Sequence, residues 1–207
     1  MLIKLLSKDD KESLISLAEF LSISDKPMLW NGKSMDEASA RIHDDDVKFS
    51  FARGDAEFAL LSDWRKTPVG EVCTLNPQAA WPFKPEGRTG CYEKGATEAE
   101  KDLIDLLREV PLKLDNAAPE VRASAVSTVL RKLHEEKKVS SNYAIRIVLF
   151  ELMLMAFADG KLSTLELYAL RDLQHHYGVD DESFCEILEQ AETVSKVSQR
   201  TLALILE

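Results

Sequence analysis

The spacing of apolar residues predicts α-helices in the first and last parts of the chain. A first helix begins after Ser7, a good N-cap residue, and ends near Asp25. Further helices begin near Thr97 and at Pro119, which suits a first helical turn. Their apolar faces are Leu14, Leu17, Ala18 and Leu21, then Ala99, Leu103, Leu106, Leu107 and Val110, then Val126, Val129, Leu130 and Leu133. The chain is therefore predicted to be all-α, a compact multi-helix bundle.

The most apolar stretch, residues 147–158, is predicted to be the central helix of that bundle. Its one charged residue is Glu151, so it offers no polar stripe to water and must be surrounded by protein. A glycine at position 160 suits the left-handed conformation just past a helix end. Ser163 and Glu166 then form a capping box that begins the next helix.

The C-terminal region is predicted to contain three more helices. The first follows the capping box, with Leu165, Ala169, Leu173 and Tyr177 along one side, and ends at Gly178. The second opens at residues 180–183 and directs Phe184, Ile187, Leu188 and Ala191 inward. A separate short helix is predicted over residues 197–206.

A loop-rich segment interrupts the helices, and it divides the chain into a helical body (1–42 and 97–207) and an insertion (43–96) within a single domain. Prolines and glycines are frequent there, which favours loops with a short helix over residues 56–64 or a short strand pair. The aromatic content indicates an ordered insertion that lies against the body and gives the protein its specificity. The stretch 81–85 suits either a partner-binding strand or an anchor to the body.

Residues 159–166 match the second half of an EF-hand calcium loop, with Asp159, Gly160 and Glu166 at loop positions 5, 6 and 12. The first half does not match, because Met155 and Phe157 stand where oxygen ligands are needed. A self-contained calcium loop is therefore not expected.

A weak internal repeat supplies another carboxylate. Residues 15–25 parallel residues 149–159, so Asp25 would approach Asp159 if the two halves pack as a pseudo-symmetric pair. The sequence thus predicts a divalent-metal site at Asp159, Glu166 and Asp25. The alternative is that these residues only cap helices.

The same corner carries a family resemblance. An apolar helix, then residues 158–163 (Ala-Asp-Gly-Lys-Leu-Ser), then Glu166 and a helix that ends near Tyr177 and Gly178, resembles the TerB domain of tellurite-resistance proteins. That domain is similar to the N-terminal domain of DjlA-type co-chaperones, and the match covers about residues 120–195. The resemblance implies a helical domain of two related halves, an acidic surface proposed to hold divalent metal, and a cytoplasmic role in bacterial stress or phage-resistance complexes.

Charge and composition narrow the classes of partner. The formal charge of −10 argues against nonspecific binding to nucleic acid or anionic lipid and leaves cations and basic proteins open. Three cysteines without a CxxC pair indicate neither a disulfide framework nor a zinc site. No apolar run reaches the length of a membrane span, and no secretory signal is evident, so we expect a cytoplasmic protein.

The remaining candidate chemistry is sparse. Asp172 and His176 are one helical turn apart and could share a metal ion, although a histidine at a helix C-terminus is also favoured by the helix dipole. No nucleophile elbow, phosphate loop or dinucleotide motif is present. The sequence therefore predicts a non-enzymatic binding or adaptor protein with a protein partner. The alternative is an acidic immunity or inhibitor protein that binds a basic partner.

Overall fold

A computed structural model describes residues 2–26, 28–30, 47–49, 56–68, 98–108, 119–136 and 138–206. These residues form seven α-helices, a short 3-10 helix and a two-stranded ribbon, so the prediction of an all-α bundle is confirmed. The elements are the 3-10 helix η1 (Leu2–Leu5), α1 (Lys8–Ser24), β1 (Met28–Trp30), β2 (Val47–Phe49), α2 (Ala56–Lys66), α3 (Glu98–Arg108), α4 (Pro119–Glu136), α5 (Asn142–Ala156), α6 (Thr164–Tyr177) and α7 (Asp181–Leu206).

Side-chain caps explain where several of these helices begin. The Ser7 hydroxyl accepts from the Asp10 amide at 3.1 Å at the start of α1. Ser141 accepts from the Ala144 amide at 3.2 Å at the start of α5, and Pro119 is the first residue of α4. Each serine cap satisfies a backbone donor that has no partner inside its helix, and the predicted starts of α1 and α4 are confirmed.

Helix α5 is the centre of the bundle, as its composition predicted. It packs against α1, α6, α7 and η1, and most of its side chains are buried. Below 1% exposure it contributes Val148, Leu149, Leu152, Met153, Met155 and Ala156. The other elements supply their predicted apolar faces to the same core, which is the main stabilising contribution to the fold.

Of the two features that the sequence offered as alternatives, the short helix lies in the insertion and the strand pair lies only partly in it. Helix α2 covers the predicted short helix, and β1 pairs antiparallel with β2, with Met28 opposite Phe49 and Trp30 opposite Val47. Strand β1 belongs to the predicted helical body and β2 to the predicted insertion, so the ribbon crosses the boundary between them. Residues 81–85, and with them the choice between a partner-binding strand and an anchor, lie outside the described residues.

Helix α7 differs from the sequence prediction. Two helices were expected, and the structure has one continuous helix of 26 residues. Neither glycine nor proline occurs in it, so nothing ends the backbone hydrogen-bond series between residues 191 and 197. Within the described ranges, no helix is both long and apolar enough to cross a bilayer.

Candidate functional site

The corner between α5 and α6 has the geometry that the sequence predicted. Gly160 has φ +92°, which side chains disfavour, and the Asp159 carboxylate accepts from the Lys161 amide at 3.1 Å. Ser163 accepts from the Glu166 amide at 3.2 Å, and Glu166 Oε2 accepts from the Ser163 amide at 2.8 Å. The predicted capping box is therefore confirmed, and one oxygen of Glu166 has a structural role.

The other oxygen of Glu166 is the unusual one. Glu166 is 2% exposed, and its Oε1 has no hydrogen-bond partner among the described residues. Burial, together with the negative charges of Asp25 and Asp159, raises the pKa of Glu166 to about 7 against the lowering effect of the Ser163 hydrogen bonds. The two aspartates named with Glu166 as a metal site therefore both raise its pKa, and the approach of Asp25 to Asp159 stays a prediction.

Asp25 reaches this region as the C-cap residue of α1. Its carboxylate lies 3.7 Å from the Lys26 ammonium, a weak and partly exposed ion pair. Asp25 and Asp159 therefore both lie near enough to Glu166 to raise its pKa, and Asp25 already has a cation beside it.

The fit of a metal ion to these residues can be tested on this geometry. All three donors are oxygens, as hard cations prefer, and Glu166 Oε1 is available. However, in the part of the chain that the structure describes, no three His, Cys, Asp or Glu side chains are grouped closely enough to hold a metal ion. These residues as placed do not form a coordination shell for a metal ion. The metal site therefore stays a prediction.

Beside this corner lies a second arrangement, which we call the insertion anchor: Arg122, Lys26, Glu57 and Phe49. Arg122 lies on α4 and is 6% exposed. Its Nε donates to the Ser24 carbonyl at 2.9 Å, and its Nη2 donates to the Lys26 carbonyl. Arg122 therefore satisfies carbonyls at the C-terminal end of α1 and just past it. Its guanidinium lies 5.1 Å from the ring centroid of Phe49 on β2. Arg122 thus joins the end of α1 to the ribbon.

The remaining members of the insertion anchor fix α2. Glu57, in the first turn of α2, is 1% exposed, and its carboxylate lies 3.2 Å from the Lys26 ammonium. At the opposite end of α2, the Lys11 ammonium donates to the Arg65 carbonyl at 3.3 Å and also to the Thr67 carbonyl. Trp64, near the C-terminal end of α2, is fully buried. The first turn of α2 is therefore paired with Lys26, just past the end of α1, and its last turn is bonded to Lys11 on α1.

A third polar cluster joins α4 to α6. The rings of His134 and His176 are stacked with centroids 4.0 Å apart, and Tyr177 meets His134 edge-on at 4.8 Å. Burial, with the nearby His176, lowers the pKa of His134 to about 4. Asp172, the other half of the metal pair considered from sequence, accepts from the Ser127 hydroxyl at 3.0 Å. His176 therefore has an aromatic packing role in this structure.

Sequence reasoning did not identify Arg122, and it gave Glu151 no role beyond its burial. Their partners are 96 to 149 residues distant along the chain, so no local pattern reveals the pairs. The one available signal was a charged residue within an otherwise apolar helix, which applies to Glu151. The cysteines at positions 73 and 91 lie outside the described residues.

Comparison with protein-family models, with curated proteins and with solved structures found no match. The geometry of the chain itself must therefore carry the functional argument.

Proposed function

We propose that this chain is a non-catalytic, TerB-like binding or adaptor protein that presents the 43–96 insertion as its recognition edge. The observation that carries the proposal is the insertion anchor. Charged residues of the helical body contact both described pieces of the insertion. The buried Arg122 lies over Phe49 of β2, and Lys26 pairs with the buried Glu57 of α2. The stress-response context comes from the sequence resemblance.

The insertion anchor buries two charged side chains, Arg122 and Glu57, that lose hydration free energy on folding. A buried guanidinium and a buried carboxylate each lose several kcal/mol of hydration, on the order of 3 kcal/mol or more, and pairing rarely returns a net gain. Burial accordingly lowers the pKa of Arg122, although its charge is retained. An apolar pair would stabilise the bundle equally well without them. What the ionic groups add is a fixed position for the base of the insertion, which a recognition segment requires.

The helical body suits the role of a rigid support. Its central helix α5 is surrounded by other elements, and closely packed interiors deform little. The insertion begins at residue 43, after α1 and β1, and ends shortly before α3. Variation in such a segment changes a binding surface without changing the core, which is how loops carry specificity on many scaffolds.

The test exchanges residues 69–96, which follow the described end of α2, for a flexible Gly-Ser linker. We expect the shortened chain to keep its helical circular dichroism and cooperative unfolding, because the described core lies outside the exchanged segment. Proteins encoded beside the gene would be co-expressed with the full and shortened chains, and the purified pairs compared by calorimetry. A partner bound by the full chain and not by the shortened chain supports the proposal.

A matched control is Arg122→Lys, which keeps the charge and loses the forked geometry toward two carbonyls. We expect weaker partner binding in this variant with the helical content unchanged. Equal binding by the full and shortened chains would overturn the proposal, and so would loss of the fold in the shortened chain, because the insertion would then be part of the core.

One observation favours the second candidate, an acidic immunity or inhibitor protein. Glu182, Glu186 and Glu189 are all exposed on one side of α7, and the whole chain carries −10. A basic toxin or enzyme would meet complementary charge there. A toxin-like reading frame beside the gene, with salt-sensitive binding of its product that Glu186→Lys and Glu189→Lys weaken, would favour this candidate. Neighbouring tellurite-resistance genes would favour the first.

A further inference from the structure

The second half of α7 is less covered than any other long helical stretch in the described ranges. From Lys196 to the end of the helix, every side chain whose exposure is described is exposed. Among the described hydrogen bonds to the body, the one farthest along α7 is made by Gln199, which donates to the Phe157 carbonyl at 3.3 Å beside the bond from Ser195 at 3.0 Å. Beyond Gln199 about two helical turns extend past the α5–α6 corner.

This uncovered stretch is apolar on one side. Among the described residues eight large apolar side chains are notably exposed, and four of them lie here: Val194 at 43%, Val197 at 56%, Leu204 at 74% and Ile205 at 72%. A contiguous apolar stripe of this kind marks an interaction surface more often than a random exposure does. We call it the α7 stripe.

The spacing of the α7 stripe indicates a helix as its partner. Val194, Val197, Thr201 and Leu204 are separated by three, four and three residues, which is the a and d pattern of a coiled-coil seam. Ile187, which also packs against the core of its own bundle, extends the pattern by one heptad toward the N-terminus. An extended segment or a flat surface would not require this repeat.

The charges of α7 identify which helix fits. All acidic residues of the helix lie in its first half: Asp181, Glu182, Glu186, Glu189 and Glu192. The two basic residues, Lys196 and Arg200, both lie in the second half. A second α7 laid antiparallel places Arg200 beside the acidic half of the other copy, whereas a parallel copy places acid beside acid.

We propose that the α7 stripe binds the same stripe of a second copy of this chain, with the two helices antiparallel. The apolar layers match in one register: Val194 against Val197 of the other copy, and Leu204 against Ile187. Such pairing is isologous, so it closes as a two-fold symmetric dimer and leaves no free stripe. This inference is independent of the proposed function, because it uses no residue of the insertion or of its anchor.

The first test is sedimentation of the full chain from ~1 to ~100 µM, a range in which a protein dimer of moderate affinity changes its population. We expect the mass to approach twice 23.3 kDa as the concentration rises. Leu204→Glu should weaken association at least tenfold without loss of helix, because the side chain is already 74% exposed. Leu5→Glu is the matched control, at a residue 57% exposed on η1, and should leave association unchanged.

The second test is a charge exchange that only helix pairing can explain. One variant, Lys196→Glu with Arg200→Glu, has an all-acidic α7. A second, Glu186→Lys with Glu189→Lys and Glu192→Lys, has a basic one. Each alone should be monomeric at concentrations where the native chain is dimeric, and an equimolar mixture should recover a dimer that contains one of each.

The orientation has its own measurement, since Cys185 is exposed. In the proposed register it lies opposite position 206 of the other copy, 21 positions along the helix. Spin labels on Cys185, in a chain with Cys73→Ser and Cys91→Ser, should therefore be about 30 Å apart or more. Adjacent labels would overturn the antiparallel arrangement. A native chain that is monomeric at every concentration, or a Leu204→Glu variant that still associates, would overturn the dimer.

Discussion

Glu151 and Glu166 are two buried glutamates with almost equal exposure, 1% and 2%, and very different surroundings. Glu151 Oε1 accepts from the Ile3 amide at 3.2 Å and also from the Leu2 amide. Glu166 has one oxygen without a partner among the described residues and two carboxylates nearby. Burial raises the pKa of both groups, but only Glu166 is disfavoured by its neighbours as well.

The comparison shows that burial alone does not distinguish a structural carboxylate from a candidate functional one. The two glutamates differ in whether negative side chains lie nearby and in whether a carboxylate oxygen is buried without a hydrogen-bond partner. Glu151 fastens η1 to the central helix. Glu166 Oε1 has no hydrogen-bond partner among the described residues, so a positive charge or a proton there would stabilise the corner of the bundle.

The largest effect that separates the two residues should come from Glu151→Leu. The substitution keeps the side-chain volume and leaves two amides of η1 without their acceptor. We expect the free energy of unfolding to fall by about 2–4 kcal/mol. Urea denaturation followed by circular dichroism measures it, with Glu151→Gln as the control that retains one acceptor oxygen and should lose less. Equal losses in the two variants would show that η1 contributes no hydrogen bonds of consequence.

The next largest effect is the pH dependence that Glu166 imposes. Its pKa is about 7 in the folded chain and 4.5 as the ordinary value, so its ionisation destabilises the fold. The stability is fully present below pH 4.5, falls as the pH rises toward 7, and then levels off, with a total change of about 2–3 kcal/mol. Glu166→Gln should remove this slope in urea titrations between pH 4.5 and 8. A variant that keeps the native slope would show that Glu166 ionises freely.

His134 should give a smaller pH dependence of opposite direction. Its pKa falls from 6.5 to about 4 on folding, so the folded form resists protonation. The contribution of His134 to stability is complete above pH 6.5 and is lost as the pH falls toward 4; between pH 7 and 5 the loss should be about 2 kcal/mol. His134→Phe keeps an aromatic ring and should reduce the loss, and NMR titration of the two imidazoles measures the pKa directly. An ordinary His134 pKa by NMR would contradict this account.

The smallest expected effect is that of divalent cations on the Glu166 corner. Because the described side chains are not grouped as metal ligands, we expect calcium, magnesium, manganese and zinc to shift the melting temperature by less than about 2 °C at pH 7. Calorimetry of the metal-stripped protein, with Asp25→Ala, Asp159→Ala and Glu166→Ala alongside, provides the decisive comparison. Saturable heat lost in the folded variants would contradict this expectation and establish the metal site that the sequence predicts.

These two glutamates also show how far the sequence could be interpreted. Local chemistry was sufficient for the capping box of Glu166, for the left-handed Gly178 and for the central position of α5, because each depends on residues within a few positions. It was not sufficient for the bonds of Glu151 or of Arg122, whose partners are brought near only by the tertiary fold. The exposed apolar residues after position 196 had the same periodicity as a buried face, so their exposure could not be predicted.

The attachment of η1 to α5 has a consequence for biosynthesis. Ile3 is fully buried, yet the glutamate that holds its backbone lies 148 residues later in the chain. While a ribosome extends the polypeptide, η1 must remain without its final environment until Glu151, 148 residues beyond Ile3, has been made. At typical rates of roughly 5–20 residues per second this interval lasts on the order of ten seconds. During it Ile3 and Leu6 are apolar surfaces that nascent-chain chaperones could bind.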